Sequence, residues 1–371
     1  MSLYTGEKSV ETALCSLYRN YGYTRFKMSK FEEYDLYAGN KDFLISDHVI
    51  TFTDTNGKLM ALKPDVTLSI IKNAREKAAD LQKVYYNENV YRVSGSTEAF
   101  KEIEQCGLEC IGDIDDWSLC EVLILAAESL SCISPDYVLD LSDLDLVSFA
   151  LDRLEVSEKT KRDLLSCVSE KNLHGIGALC TAAGVSEEKS ALLCRLVALN
   201  GEPSAAIESL RTLFPDGEGK AAVERLAMIV KVLCKCGHGD KIRIDFSVIH
   251  DMKYYNGIVF RGFVNGVPTG VLSGGQYDRM MQKMGKKAGA VGFAVYLDLL
   301  ERLREEKPEF DLETVLLYDD ATDPAALALA MRDLTLYGER VISARVRPEK
   351  IRYKRLARMT ESGVEILENN A

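Results

Sequence analysis

The 371-residue chain has one tryptophan, four histidines and eight prolines, and no apolar run near the ~18 to 20 residues of a membrane span. No GxGxxG opens a helix after a strand, and neither GxxxxGKS nor GxxxxGKT occurs. A doubly wound dinucleotide fold and a P-loop site are therefore not expected. Basic charge is in deficit: 46 Lys and Arg against 57 Asp and Glu leave a net charge of −11. A broad phosphate-binding surface needs the opposite balance, so nucleic acid is an unlooked-for partner. Residues 1–12 lack the basic patch and apolar core of a secretory signal, which predicts a cytoplasmic protein. The ten cysteines fall mostly in apolar runs, and no second CxxC-type pair completes a tetrahedral metal set. They read as reduced core residues, and Cys234, Cys236 and His238 as the end of a helix. Neither a metal nor a cofactor is expected. What the chain has in quantity is apolar side chain, 47% of residues beside 28% charged, the balance of a globular protein.

Periodicity organises it. Val10, Ala13, Leu14, Leu17 and Tyr18 mark one helical face over residues 7–21, and Gly22 stops it. Asn56-Gly57 predicts a hairpin returning through Leu59–Leu62, and a second hairpin is read around Tyr85–Tyr91. A strand follows at Ile103–Ile111 and a helix at Asp116–Leu130. From about 143 to 238 strand signals vanish and helical spacing takes over, as in Val223, Leu226, Ala227, Val230 and Leu233. Strands resume at Ile242–Val248 and Ile258–Val264, the latter turning at Asn265-Gly266, and Ala290–Leu303 reads as a closing helix. Hairpins without intervening helices imply an antiparallel sheet. The expectation is therefore α+β: residues 1–305 form one domain, with a helical insertion at about 143–238. Residues 306–371 form a small α/β module read as β-α-β-α-β, with a helix at Glu349–Met359. Residues 345–358 hold Arg345, Arg347, Lys350, Arg352, Lys354, Arg355 and Arg358 against one acid, Glu349: a basic helix there could touch RNA or an acidic partner surface, or be a solvated face with Tyr353, Leu356 and Ala357 inward.

Four clusters could carry chemistry. Lys63-Pro64-Asp65-Val66-Thr67 leads into a helix that Asp65 or Thr67 could cap. Gln105, Gly107 and Glu109 share one face of a strand, leaving room for a small ligand bearing an ammonium group. Tyr254 and Tyr255 open a strand, and Gly274-Gly275-Gln276-Tyr277-Asp278 permits close approach of a ligand or another strand.

In this order the clusters resemble the catalytic domain of histidyl-tRNA synthetases, which are class II aminoacyl-tRNA synthetases. The resemblance covers most of residues 5–303 and the first part of the tail. Gln-x-Gly-x-Glu is intact at Gln105 to Glu109, and Tyr-Tyr-x-Gly at Tyr254 to Gly257. Arg/Lys-Pro-Glu-x-Thr appears as Lys63 to Thr67, Phe-Arg-x-Glu as Tyr91 to Ser94, and Gly-Gly-Arg-Tyr-Asp as Gly274 to Asp278. The resemblance implies the class II fold, an antiparallel sheet flanked by helices, with a tail similar to a truncated anticodon-binding domain.

The departures concern cations. His250 and Leu299 stand where the family has essential arginines, Ser94 replaces a glutamate, and the arginine-rich loop has shrunk to residues 95–101. Arg92 is left as a possible anion-binding remnant. Amino-acid activation needs preorganised cations, each worth ~10²- to 10³-fold in rate, so no catalytic residue is assigned. A histidine pocket without an ATP site resembles the regulatory subunit family of ATP phosphoribosyltransferase, in which Pro-Asp-x-Thr replaces Pro-Glu-x-Thr. The resemblance implies histidine binding by Asp65, Thr67, Gln105, Glu109, Tyr254 and Tyr255. It also implies a homodimer core around Phe31–Leu62, and a short-form catalytic subunit as partner in a hetero-octamer acting in histidine biosynthesis. A diverged or truncated histidyl-tRNA synthetase is the alternative.

Overall fold

The structure, a computed structural model, describes residues 7–40, 44, 49–74, 81–93, 99–249, 254–303, 310–336, 338–360 and 362–370. The chain divides into two units, Met1–Leu303 and Arg304–Ala371.

The first unit is built on a nine-stranded sheet. Its order is Thr24–Arg25, Gln82–Val93, Phe100–Gly112, Gly289–Tyr296, Leu272–Gln276, Asn256–Val264, Tyr137–Asp143, Ile242–Asp245 and Asn200–Gly201. All pairings are antiparallel except those of Thr24–Arg25 with Gln82–Val93 and of Tyr137–Asp143 with Ile242–Asp245. Strand alternation gives the sheet two unlike faces. Cys106, Leu108 and Cys110, with Val291, Phe293 and Val295, join a core under helices Glu7–Asn20 and Asp116–Ile133. These two helices are tied by the Tyr18 and Ser129 hydroxyls at 3.0 Å. Asp115 caps the longer one by accepting from Ser118 N, a contact worth ~1 kcal/mol. The opposite face presents Gln105, Gly107 and Glu109 beside Gly292 and Ala294.

Between Tyr137–Asp143 and Ile242–Asp245 run six helices from Leu144 to Lys235, interrupted by the two-residue strand Asn200–Gly201. Ser157, Asn172 and Ser186 each cap one of them with a side-chain oxygen. Arg225 of the last helix donates to buried Asp143 at 2.9 Å and to Asp145 at 3.1 Å, tying this segment to the end of the strand Tyr137–Asp143. A separate three-stranded sheet, Phe31–Glu33, Leu59–Leu62 and Thr51–Thr53, carries the expected hairpin at Asn56-Gly57. In the second unit, strands Val341–Ala344, Leu312–Leu317, Tyr353–Thr360 and Gly363–Asn369 form a sheet, with helix Pro324–Leu336 against one face.

Three expectations fail here. No turn breaks residues 85–91: Gln82–Val93 is one strand paired antiparallel with Phe100–Gly112. The polar run that suggests a turn finds partners across the ribbon and beside it, Asn89 donating to Glu102 at 2.5 Å and Glu88 pairing with Lys63 at 2.6 Å. Residues 290–296 are strand, and only Leu297–Leu303 is helical, as a 3₁₀ turn. Every position of Gly289–Tyr296 is apolar, aromatic or small, on the face toward the cavity as well as on the face toward the core, which hides its two-residue period. Tyr353–Thr360 is likewise strand. Leu356 and Ala357 are buried in separate clusters, with Val315 and with Leu316, so Tyr353, Leu356 and Ala357 are all buried at a spacing that imitates a helix. The basic residues there are not a helix face. Arg345, Arg347, Arg352 and Arg355 pair with Asp320, Glu368, Asp311 and Glu339 of the same unit.

Candidate functional site

Asp65, Thr67, Arg92, Gln105, Glu109, Tyr254 and Tyr255 all line one cavity of about 100 Å³ on the open face of the main sheet. Gln105 and Glu109 rise from the strand Phe100–Gly112. Thr67 begins the short helix Thr67–Asn73, and Tyr254 and Tyr255 immediately precede the strand Asn256–Val264. His250 and residues 94–98, where the sequence departs from the synthetase pattern, lie outside the described residues. Leu299 is described and lies on the 3₁₀ turn, lining an adjoining cavity.

Glu109 is the centre of the arrangement. The Thr67 hydroxyl donates to its Oε1 at 2.8 Å and the Tyr277 hydroxyl to its Oε2 at 2.5 Å. The carboxylate lies over Gly292 of the neighbouring strand, where any Cβ would overlap it. Burial pushes the Glu109 carboxyl up to about 8, against the pull of the two hydroxyl donors. Asp65 is also buried and raised by burial, although it accepts from Leu68 N at 2.8 Å and feels the Arg92 guanidinium. It therefore caps the helix Thr67–Asn73 as well as facing the cavity. Two buried carboxyls, both raised by burial, favour their charged forms when a cation enters, which suits them to a ligand ammonium. Gln105, almost fully buried, offers a neutral donor and acceptor beside them.

The aromatic wall is a tilted stack. Tyr254 and Tyr255 have ring centroids 4.5 Å apart, and Tyr277 lies 6.0 Å from Tyr254. Burial holds the Tyr254 and Tyr277 phenols well above their ordinary range, so both stay neutral. A flat heteroaromatic ring fits such a wall. Arg92 completes the lining, its Nε donating to Pro64 O at 2.9 Å.

Sequence reasoning missed Tyr86, Ser273, Tyr277, Gly292, Ala294 and Tyr296, which line the same cavity. Tyr277 belongs to a quoted motif, but nothing local tells that its hydroxyl reaches Glu109. Gln276 is structural: its side-chain oxygen accepts from Ile258 N at 3.0 Å where the strand register shifts. His238 engages Tyr137 at 2.9 Å through Nδ1 and Glu128 at 3.1 Å through Nε2, while Cys234 and Cys236 are exposed. Among the described residues no group of three or more metal-ligating side chains forms a metal site.

Three comparisons place this geometry. Over 337 residues, 87% of this chain and 79% of the relative, it is 24% identical to an ATP phosphoribosyltransferase regulatory subunit of Ruminiclostridium cellulolyticum. It is 26% identical to one of Alkaliphilus metalliredigens, over 79% of this chain and 75% of that one. A crystal structure from Bacillus halodurans, described as an ATP phosphoribosyltransferase regulatory subunit/histidyl-tRNA synthetase, superposes with a TM-score of 0.75 at 26% identity. It covers 91% of this chain and 88% of the other. The family model for histidyl-tRNA synthetase matches residues 5–300, which take in the main sheet, the helical segment and every residue lining the cavity. The chain belongs to the histidyl-tRNA synthetase family.

Proposed function

We propose that this chain is the non-catalytic regulatory subunit of an ATP phosphoribosyltransferase, a cytoplasmic protein that binds histidine and passes its presence to a short-form catalytic subunit. The observation that carries the reading is the cavity itself. Buried Glu109 and Asp65 suit an ammonium and the tilted tyrosines suit an imidazole, whereas Leu299 stands where activation of an amino acid calls for an arginine. The names of the curated relatives support the same reading. Histidine would act by its difference in affinity between two arrangements of the assembly, since a ligand shifts an equilibrium by no more than that difference. A homodimer core carrying catalytic subunits in a hetero-octamer is part of the proposal.

The test is reconstitution. Mixing the purified chain with a short-form catalytic subunit should raise ATP phosphoribosyltransferase activity, and added histidine should suppress it. Components that neither co-elute nor alter that activity at micromolar concentration would overturn the assignment. Histidine-dependent pyrophosphate exchange by the chain alone would point instead to a synthetase.

A further inference from the structure

The backbone just after the Tyr254-Tyr255 pair is held from two sides. Gly257 has φ +59°, and a Cβ there would overlap the Gln276 Oε1. The same Cβ would lie 3.8 Å from Nη2 of Arg225, in van der Waals contact. Gln276 belongs to the adjacent strand Leu272–Gln276, and Asp278, just beyond it, accepts from Asn256 Nδ2 at 3.2 Å. Those contacts are internal to the sheet and its connections. Arg225 comes from elsewhere, the middle of the helix Gly217–Lys235 that closes the helical segment.

Its guanidinium is anchored where two strands end together. Asp143, fully buried, accepts from Nη2 at 2.9 Å and is the cross-strand neighbour of Ile258, one residue past Gly257. Burial pushes the Asp143 carboxyl up, and the Arg225 charge opposes that push. Glu224, the preceding residue, is engaged by Arg211 at 2.8 and 3.0 Å. The Arg225 Nε is buried without a hydrogen-bond partner among the described residues. A buried donor left unpaired is costly, so the side chain is held where the strand ends need a cation and not where all its own donors are satisfied.

We propose that Arg225 is a positioning residue for the histidine pocket: through Asp143 and Gly257 it sets the Tyr254-Tyr255 wall and links that wall to the helical segment. The inference rests on the histidine reading and deepens it, by naming an element outside the cavity that answers when histidine binds. Arg225 does not line the cavity, so its effect on the ligand passes through the wall. Such coupling is reciprocal: contacts that adjust the ligand's affinity are themselves adjusted by the ligand.

Calorimetric titration of histidine into the full chain tests it. Arg225→Met alone strands a buried carboxylate, so the principal variant combines it with Asp143→Asn, which removes both charges. This double variant should bind histidine ~10-fold or more weakly. The protons released per histidine should stay as in wild type, because Glu109, raised to about 8, still meets the ammonium. Loss of that proton release together with affinity would mean general damage to the pocket and overturn the positioning role. Arg225→Lys, which keeps a cation beside Asp143, should recover part of the affinity, and Arg211→Met should leave it at the wild-type value. In hydrogen exchange of the wild-type chain, histidine should slow the amides of residues 222–228. That measurement needs no variant and decides the question if the double variant does not fold. A wild-type chain that binds histidine with no change at 222–228 would overturn the inference and leave the histidine reading standing. So would a folded double variant that binds as wild type does. No histidine binding by the wild-type chain at about 10 mM would overturn both.

Discussion

At the scale of single residues, Glu109 governs how the pocket answers to pH. Its carboxyl sits near 8 when the pocket is empty, raised by burial. An ammonium ligand favours the ionised form, so binding should expel a proton. Between pH 7 and 8, above the ~6.5 of a free imidazole, histidine affinity should climb with pH. The measured heat should also vary with the ionisation enthalpy of the buffer. Glu109→Gln should bind more weakly and lose both dependences; a variant that keeps the wild-type slope would remove Glu109 from the contact. The same raised value has a cost in stability. Between the ~4.3 of an exposed glutamate and about 8, the folded chain keeps a proton that the unfolded chain has released, so stability falls as pH rises through that window. Asp65, Gln105 and Glu109 were legible because strand alternation and the helix cap are local patterns. The reach of Tyr277 was not, because only the fold brings its hydroxyl to Glu109 across 168 residues of sequence.

At the scale of elements, the sequence shows a strand best when one of its faces meets water. The hairpin at Asn56-Gly57 was readable on those terms, whereas Gly289–Tyr296 and Tyr353–Thr360 were not, since one has apolar or small residues at every position and the other buries apolar residues in clusters on both faces. The small sheet holding that hairpin presents an apolar surface. Phe31 and Phe52 meet edge to face at 5.6 Å, and they are 48 and 39% exposed. Among the described residues, Phe31–Leu62 carries three- and four-residue strands and a five-residue helix. The proposed homodimer core around Phe31–Leu62 would cover this exposed aromatic pair. Phe31→Asp combined with Phe52→Asp should convert a dimer to a monomer in sedimentation while far-ultraviolet dichroism stays unchanged. A double variant that sediments like wild type would exclude this sheet from the dimer contact.

At the scale of the whole molecule, the helical segment from Leu144 to Lys235 leaves the sheet after Tyr137–Asp143 and returns at Ile242–Asp245, directly beside it. Topologically it is a loop that must close before its two ends can pair. Closing it costs entropy that grows slowly with length, by ~0.6 kcal/mol per doubling, but the search itself takes time because the contacts are distant in sequence. Helices such as Glu158–Ser169, capped by their own neighbours, can form before the loop closes. Refolding should therefore protect amides of Glu158–Ser169 and Leu173–Ala182 early in pulse-labelled hydrogen exchange, and those of Tyr137–Asp143 late; simultaneous protection would contradict this order. Until the loop closes, Asn256–Val264 has its edge toward Tyr137–Asp143 unpaired, and an open edge of buried-type residues is a template for a second chain. The interval before closure is thus the stage of synthesis at which this protein has most need of dilution or a chaperone.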